Sequence, residues 1–317
     1  MAFLRAFGAY LPDRVVPNAE FAARLGVEDE WIVQMSGIEE RRFAAETETV
    51  IDMGVRAAQA CLARAGATAS QVGLIVVSSG TGERRFPGPA SEIGLRLGIP
   101  GIPAIDVPVA SAGSIFGLTL AHQLAPFYGE VLVIAAEKMS SVVWPKPESG
   151  GTPDKNTAIL FGDGAGAALV SSTSGAWEVK AAALHSDGTA AAELALPVDG
   201  PLRMNGMVVI RHASQKMPSV IKEVLTAGKV LAADLGAILM HQANQNLMDK
   251  VAKTVGVAAE RLFTNVAKYG NTSSASMLIA AAEWQESSSA ETARPIVFAG
   301  FGAGFHWGAL LAVPALQ

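Results

Sequence analysis

Four short apolar runs constrain this 317-residue chain more than anything else in it. They are Val72-Gly73-Leu74-Ile75-Val76-Val77, Val131-Leu132-Val133-Ile134-Ala135, Ala237-Ile238-Leu239-Met240 and Pro295-Ile296-Val297-Phe298-Ala299. None alternates apolar with polar residues, so none has a face to give to water. Each is predicted to be a strand covered on both sides. Val50 to Ala65 instead repeats its apolar residues at helical spacing, with Thr47 or Thr49 as a cap and Gly66 as a stop. Asn244 to Val255 and Ser273 to Trp284 also read as helices, and Ile102 to Val109 as a strand-like stretch ahead of a helical one from Phe116 to Leu124. Doubly covered strands alternating with helices imply an α/β layered fold.

The bulk composition agrees. Half the residues are hydrophobic and 17% are charged, which fits a large buried core and excludes a disordered chain. The length suits one large domain or two halves. A net charge of −5 gives no general attraction to nucleic acid or an anionic membrane, so neither is an expected partner. Cys61 is the only cysteine, which rules out an intramolecular disulfide and cysteine-based zinc sites. A reduced, cytoplasmic setting is expected. The N-terminus lacks a signal-peptide layout, and no apolar run reaches the length of a membrane span. His122, His185, His212 and His306 show no metal spacing, and no metal site is expected. An internal echo links Phe161-Gly162-Asp163-Gly164-Ala165-Gly166-Ala167-Ala168 to Phe301-Gly302-Ala303-Gly304-Phe305-His306-Trp307-Gly308. It suggests two similar halves, residues 1–172 and 173–317, divided near Ser171 to Gly175.

Three polar segments stand out among small residues. Ser111, in Val109-Ala110-Ser111-Ala112-Gly113-Ser114, falls where a strand turns into a helix. The N-terminus of a helix favours negative charge and can bind an oxyanion, although most serines before helices are simple caps. His241, in His241-Gln242-Ala243-Asn244, follows an apolar strand whose carboxyl end would face a crevice. A lone histidine there is more often a hydrogen-bonded structural residue. Asn271, in Tyr269-Gly270-Asn271-Thr272-Ser273, reads as a turn or cap, yet its carboxamide can donate to a carbonyl gaining charge. Together the three supply a nucleophile position, an imidazole and a carboxamide, a set suited to acyl-thioester chemistry. Gly162-Asp163-Gly164-Ala165-Gly166 lacks the strand, long helix and downstream acid of a dinucleotide site, and that reading is rejected.

These segments, with Gly8-Ala9-Tyr10-Leu11-Pro12, Asp29-Glu30-Trp31-Ile32-Val33, Ser36-Gly37-Ile38-Glu39-Glu40-Arg41-Arg42 and Gly270-Asn271-Thr272-Ser273, resemble the ketoacyl-ACP synthase III family of thiolase-fold condensing enzymes. The resemblance covers nearly the whole chain. It implies a thiolase-like five-layered α-β-α-β-α fold of two similar halves, usually a homodimer. It places the nucleophile at residue 111, with His241 and Asn271 opposite, and an oxyanion hole in the backbone N–H groups of Ser111 and Ala303. Phe86 would shape the acyl pocket across the dimer interface, and Trp31, Lys155, Asn244 and Phe301 would contact the substrate. Arg211, Lys250 and Lys253 would form a basic patch for an acidic carrier protein, or are solvated surface charges. The implied reaction loads an acyl group from acyl-CoA or acyl-ACP onto residue 111. Decarboxylative Claisen condensation with malonyl-ACP follows, in fatty-acid or polyketide initiation, without a metal or redox cofactor.

Three positions depart from the family pattern. Ser111 stands where the family has cysteine, Met35 where an arginine often packs on the CoA adenine, and Asn246 where an arginine often contacts the carrier. A cysteine thiol, with an ordinary pKa of about 8.5, readily becomes a thiolate at a helix N-terminus. A serine hydroxyl needs a base close by, for which His241 is a candidate. An acyl-serine ester is also a poorer electrophile for a carbanion. Ser111 is therefore compatible with an engineered cysteine replacement, with a weak condensing enzyme, or with a natural acyltransferase that does not extend chains. A non-catalytic partner subunit of another synthase is a further reading.

Overall fold

The computed structural model describes residues 1–144, 154–198, 200–287 and 293–315. Ten strands form one mixed sheet: β1 (Phe3–Tyr10), β2 (Val72–Ser78), β3 (Ala104–Asp106), β4 (Glu130–Lys138), β5 (Asp163–Ser171), β6 (Trp177–Ser186), β7 (Ala237–Met240), β8 (Leu262–Phe263), β9 (Ile296–Gly302) and β10 (His306–Pro314). Their order is β8-β7-β9-β10-β6-β1-β5-β4-β2-β3. Read outward from the β6–β1 seam, the first five strands and the last five follow the same order. The seam itself pairs only Phe3 with Glu178 and Leu4 with Trp177. In each set the outer strands are parallel, β2 with β3 and β4, and β7 with β8 and β9. The strands nearer the seam are antiparallel.

The helices that matter for the site are α1 (Val50–Ala65), α2 (Gly113–Tyr128), α3 (Gly206–Gly228), α4 (Gln245–Val255) and α5 (Ser276–Ser287). They explain why the apolar runs have no polar alternation. Successive strand residues point to opposite faces, and here the two faces meet different cores. Leu74 and Val76 of β2 join Ile115 and Leu118 of α2 and Leu278 of α5, whereas Ile75 and Val77 join Val50, Met53 and Ala57 of α1. In the other set, Leu239 of β7 and Phe298 of β9 face the same central core. Ile238 and Val297 face Val220 and Val224 of α3 and Val251 of α4. The layers therefore run α1, sheet, α2 with α5, sheet, α3 with α4, the five-layered α/β arrangement expected. Each Val, Leu or Ile buried this way contributes on the order of 1.5–3 kcal/mol.

Helix α1, on one outer face, is closed at both ends by its own sequence. The Thr49 hydroxyl accepts from Asp52 N at 3.0 Å while Asp52 Oδ2 accepts from Thr49 N at 2.8 Å, a capping box. Gly66 ends α1 at φ 61°, in the left-handed region that glycine enters without strain. The predicted strand over Ile102 to Val109 shrinks to the three residues of β3. Pro103 and Pro108 flank it and cannot donate to a ladder, which suits its place at the sheet edge. The predicted helix from Ser273 begins later, at Ser276, after a tight 3-10 turn over Ser273–Ala275. Among the described residues no helix is long and apolar enough to cross a membrane.

Candidate active site

Ser111 lies in a tight turn, Ala110–Ala112, between β3 and α2. Ala110 has φ 46°, a strained value for a residue with a side chain. The hydroxyl of Ser111 does not cap α2, whose N-terminus has no side-chain cap. Its hydrogen bond among the described residues runs to Ser273 Oγ at 3.3 Å. Two glycines make the turn fit. A Cβ on Gly113 would stand 1.7 Å from Ser78 Oγ, and one on Gly302 would stand 2.5 Å from Ala112 N and 3.0 Å from Ser111 N. The Gly302–Ala303 backbone thus lies directly over the start of α2.

His241 directly follows β7, its N–H bonded to Ala299 O at 2.9 Å. The ring Nδ1 lies 2.7 Å from Ser276 Oγ, the first residue of α5. Ser276 Oγ also accepts from Gln242 N at 3.0 Å and contacts Ser273 O at 3.0 Å. The single hydroxyl proton of Ser276 selects the tautomer. Given to Ser273 O, it leaves Nδ1 protonated and Nε2 a free acceptor; given to Nδ1, it makes Nε2 a donor. Burial lowers the pKa of His241 to about 4, opposed by a hydrogen bond to the Ser273 backbone, so the ring is neutral near pH 7. Asn271 Oδ1 accepts from Ser273 N at 2.9 Å. That turn fixes the carboxamide and leaves Nδ2 as its donor end.

Ser111, His241, Asn271, Ala303, Asn244 and Phe301 all line one cavity of about 730 Å³. Buried His241, Asn271 and Glu137 mark its floor, and the exposed Met35 and Met207 its mouth. The wall between is largely apolar, with Leu202, Met204, Ile210, Met217 and Met248. Asn244 is committed to the chain itself. Its Oδ1 caps α4 at Leu247 N (3.2 Å), and its Nδ2 donates to Met35 O (2.8 Å). Asn246 Nδ2 likewise donates to Gln34 O at 3.1 Å. Trp31, Lys155 and Phe86 lie outside the cavity lining. Lys155 Nζ sits 5.4 Å from the centre of the Trp31 ring, and Phe86 is 86% exposed. Arg211, Lys250 and Lys253 are exposed on α3 and α4. His122 is inside α2.

Sequence reasoning missed Glu137, the eighth residue of β4, which shares the floor with Ser111. It is fully buried and accepts from Thr81 Oγ1 at 2.6 Å, Gly80 N at 3.0 Å, Ser274 Oγ at 2.7 Å and Ser273 Oγ at 3.3 Å. Burial pushes its pKa up, and these hydrogen bonds oppose the shift. The available signal was an acidic residue ending an apolar strand at the crevice side of the sheet. Ser276, which holds His241, carried no comparable signal in its Ser-rich surroundings.

Comparison with known proteins bears on the family and the fold. Residues 105–188 match the model for 3-oxoacyl-[acyl-carrier-protein] synthase III, and residues 225–313 match that for its C-terminal part. The chain is 34% identical over 310 residues to beta-ketoacyl-[acyl-carrier-protein] synthase III of Staphylococcus saprophyticus, covering 97% of both chains. The crystal structure of 3-oxoacyl-[acyl-carrier-protein] synthase III from Aquifex aeolicus superposes with a TM-score of 0.93 at 32% identity, over 99% of this chain and 100% of that one. The priming beta-ketosynthase of a polyketide biosynthetic pathway superposes at 0.88 with 29% identity, over 100% and 97%. The layered α/β architecture, the ordered motifs and these matches together place the chain in the beta-ketoacyl-[acyl-carrier-protein] synthase III family, with its thiolase-like fold.

Proposed function

We propose that Ser111 accepts an acyl group from an acyl-thioester, acyl-CoA or acyl-ACP, entering through the Met35–Met207 mouth. The convergence of Ser111, His241 and Asn271 on the floor of one largely apolar cavity carries this reading. In the loading step the Ser111 oxygen bonds to the thioester carbonyl carbon and the thiol leaves. The N–H groups of Ser111 and Ala303 are the proposed hole for the carbonyl oxygen. In the condensing step malonyl-ACP releases CO2, and the resulting carbanion attacks the acyl-serine and expels the Ser111 oxygen, which takes up one proton from solvent to restore the hydroxyl. Asn271 Nδ2 and His241, in its Nε2–H tautomer, would hold the enolate oxygen. Thioester and malonyl groups arrive already activated, so no metal or redox cofactor enters this scheme.

Ser111 itself favours a second reading, acyl transfer without chain extension, because an oxyester resists carbanion attack more than a thioester does. Arg211 follows Ile210, a residue of the cavity wall, and with Lys250 and Lys253 offers a basic surface to an acidic carrier. A homodimer would bring the exposed Phe86 of one chain to its partner, and the two halves would divide at residues 172 and 173. The test is intact mass after incubation with acyl-CoA and acyl-ACP, for this chain and for Ser111→Cys. An acyl adduct on residue 111 is expected; its absence from both proteins with both donors rejects the proposal. Malonyl-ACP then separates the two readings. CO2 release matched by β-ketoacyl product supports condensation, and acyl transfer without CO2 supports the second.

A further inference from the structure

The Ser111 hydroxyl has one hydrogen-bond route among the described residues, and it does not lead to His241. Ser111 Oγ meets Ser273 Oγ at 3.3 Å, and Ser273 Oγ meets Glu137 Oε1 at 3.3 Å. From this continuous line of two hydroxyls and a buried carboxylate, each step of which must close by a few tenths of an ångström to pass a proton, we infer that Glu137, acting through Ser273, takes the proton when residue 111 attacks an acyl carbonyl. This rests on the acyl-loading reading above and names the proton acceptor it requires. Glu137 touches no reacting atom, so it is a positioning and proton-holding residue rather than a catalytic one.

Three observations support the assignment. The carboxyl group is surrounded by donors: the Thr81, Ser273 and Ser274 hydroxyls and the Gly80 N–H. Thr81 Oγ1 accepts from Lys138 N at 2.8 Å, which leaves its own proton for Glu137. Such a shell fits a carboxylate, and none of those donors is a cation. The network can also absorb one proton. Ser274 Oγ lies 3.4 Å from Ser78 O as well as 2.7 Å from Glu137 Oε1, so it can turn its proton away and accept from a protonated Glu137. Finally, Ser273 holds φ 49°, a left-handed backbone that sets its hydroxyl between the nucleophile and the acid.

The step balances without another reagent. The Ser111 oxygen bonds to the acyl carbon and the carbon–sulfur bond breaks. The Ser111 proton moves to Ser273 Oγ, whose own proton moves to Glu137. The departing thiolate regains a proton from Glu137 through Ser273, giving acyl-Ser111, a free thiol and the restored carboxylate.

The experiment measures acylation of residue 111 by intact mass, using a p-nitrophenyl ester of an aliphatic acid beside an acyl-CoA. Glu137→Gln and Ser273→Ala are made in this chain and in Ser111→Cys. Ala110 already holds the same backbone conformation with only a methyl group, so Ser273→Ala suits its site. With Ser111, each variant is expected to slow acylation by about 10²- to 10³-fold at an unchanged half-saturating ester concentration. With cysteine the cost is at least about tenfold smaller, because a thiol ionises without a relay. Equal losses in both backgrounds, or none with Ser111, overturn the relay. If the ester acylates Ser111 in a Glu137-dependent way but acyl-CoA and acyl-ACP leave no adduct, the relay stands and the thioester reading falls. If thioesters load but neither variant slows them, the relay falls and the loading stands.

Discussion

Two helix starts in this molecule occupy equivalent places and do different work. The turn Ala110–Ala112 follows the edge strand β3 and opens α2; the turn Ser273–Ala275 comes after the edge strand β8 and opens α5. Each holds one residue at positive φ, Ala110 at 46° and Ser273 at 49°. They face each other, with the Ser114 hydroxyl donating to the Ser274 carbonyl. The first turn leaves the Ser111 hydroxyl half-buried on the cavity floor. The second buries its polar groups as a scaffold: Ser273 and Ser274 against Glu137, and Ser276 against His241. Where the first helix has Gly113, close-packed on Ser78, the second has Ser276, which fixes an imidazole. One backbone device used twice carries an open hydroxyl in one place and a buried polar scaffold in the other.

The largest expected effect attacks the first start, which holds the proposed nucleophile. Ser111→Ala should abolish the acyl adduct and lower turnover by at least about a thousandfold; an adduct of unchanged mass and rate would move the nucleophile elsewhere. Next comes the support. His241 titrates near 4 in the folded chain against an ordinary 6.5, so between those values the unfolded chain binds the proton first. Stability contributed by the neutral ring is present above about pH 6.5 and is lost as pH falls toward 4, a swing on the order of 3 kcal/mol. Urea unfolding of His241→Gln across that window should lack this slope relative to the unaltered chain; parallel slopes would contradict a buried neutral ring. Gly113→Ala tests whether the first start can tolerate a side chain at the position where the second has serine. The clash with Ser78 should cost about 1–3 kcal/mol in thermal or chemical unfolding. The smallest effect lies away from both turns. Thr49→Ala removes one side of the α1 capping box and should cost about 1 kcal/mol of stability with acylation unaltered.

This contrast also separates what was legible in the sequence from what was not. Helix α1 was readable because its information is local: a periodic apolar face, Thr49 before it and Gly66 after it. The doubly covered strands were readable because burial on both faces leaves an unbroken apolar run. The three residues that meet in the candidate site were readable singly, since Ser111, His241 and Asn271 each sit in a short segment of small residues beside a strand or helix end. Their partners were not. Glu137 is distant in sequence from Ser273, and only the packing of β4 against the start of α5 brings them together. The bonds that Asn244 makes to Leu247 and Met35 while lining the cavity were not legible either, because an N-cap and a ligand contact look alike in one dimension.

Gly302 has a consequence for how such a chain can change. With Ser111 and Ala112 amides within 3.0 Å of where its first side-chain carbon would stand, that position has no latitude. The opposite wall is built largely of methionine and leucine, whose shapes adapt to new neighbours. If the proposed acyl loading holds, descendants or designed variants with a new acyl preference should therefore carry their substitutions at Leu202, Met204 and Met217, while the ground beneath Ser111 stays as it is.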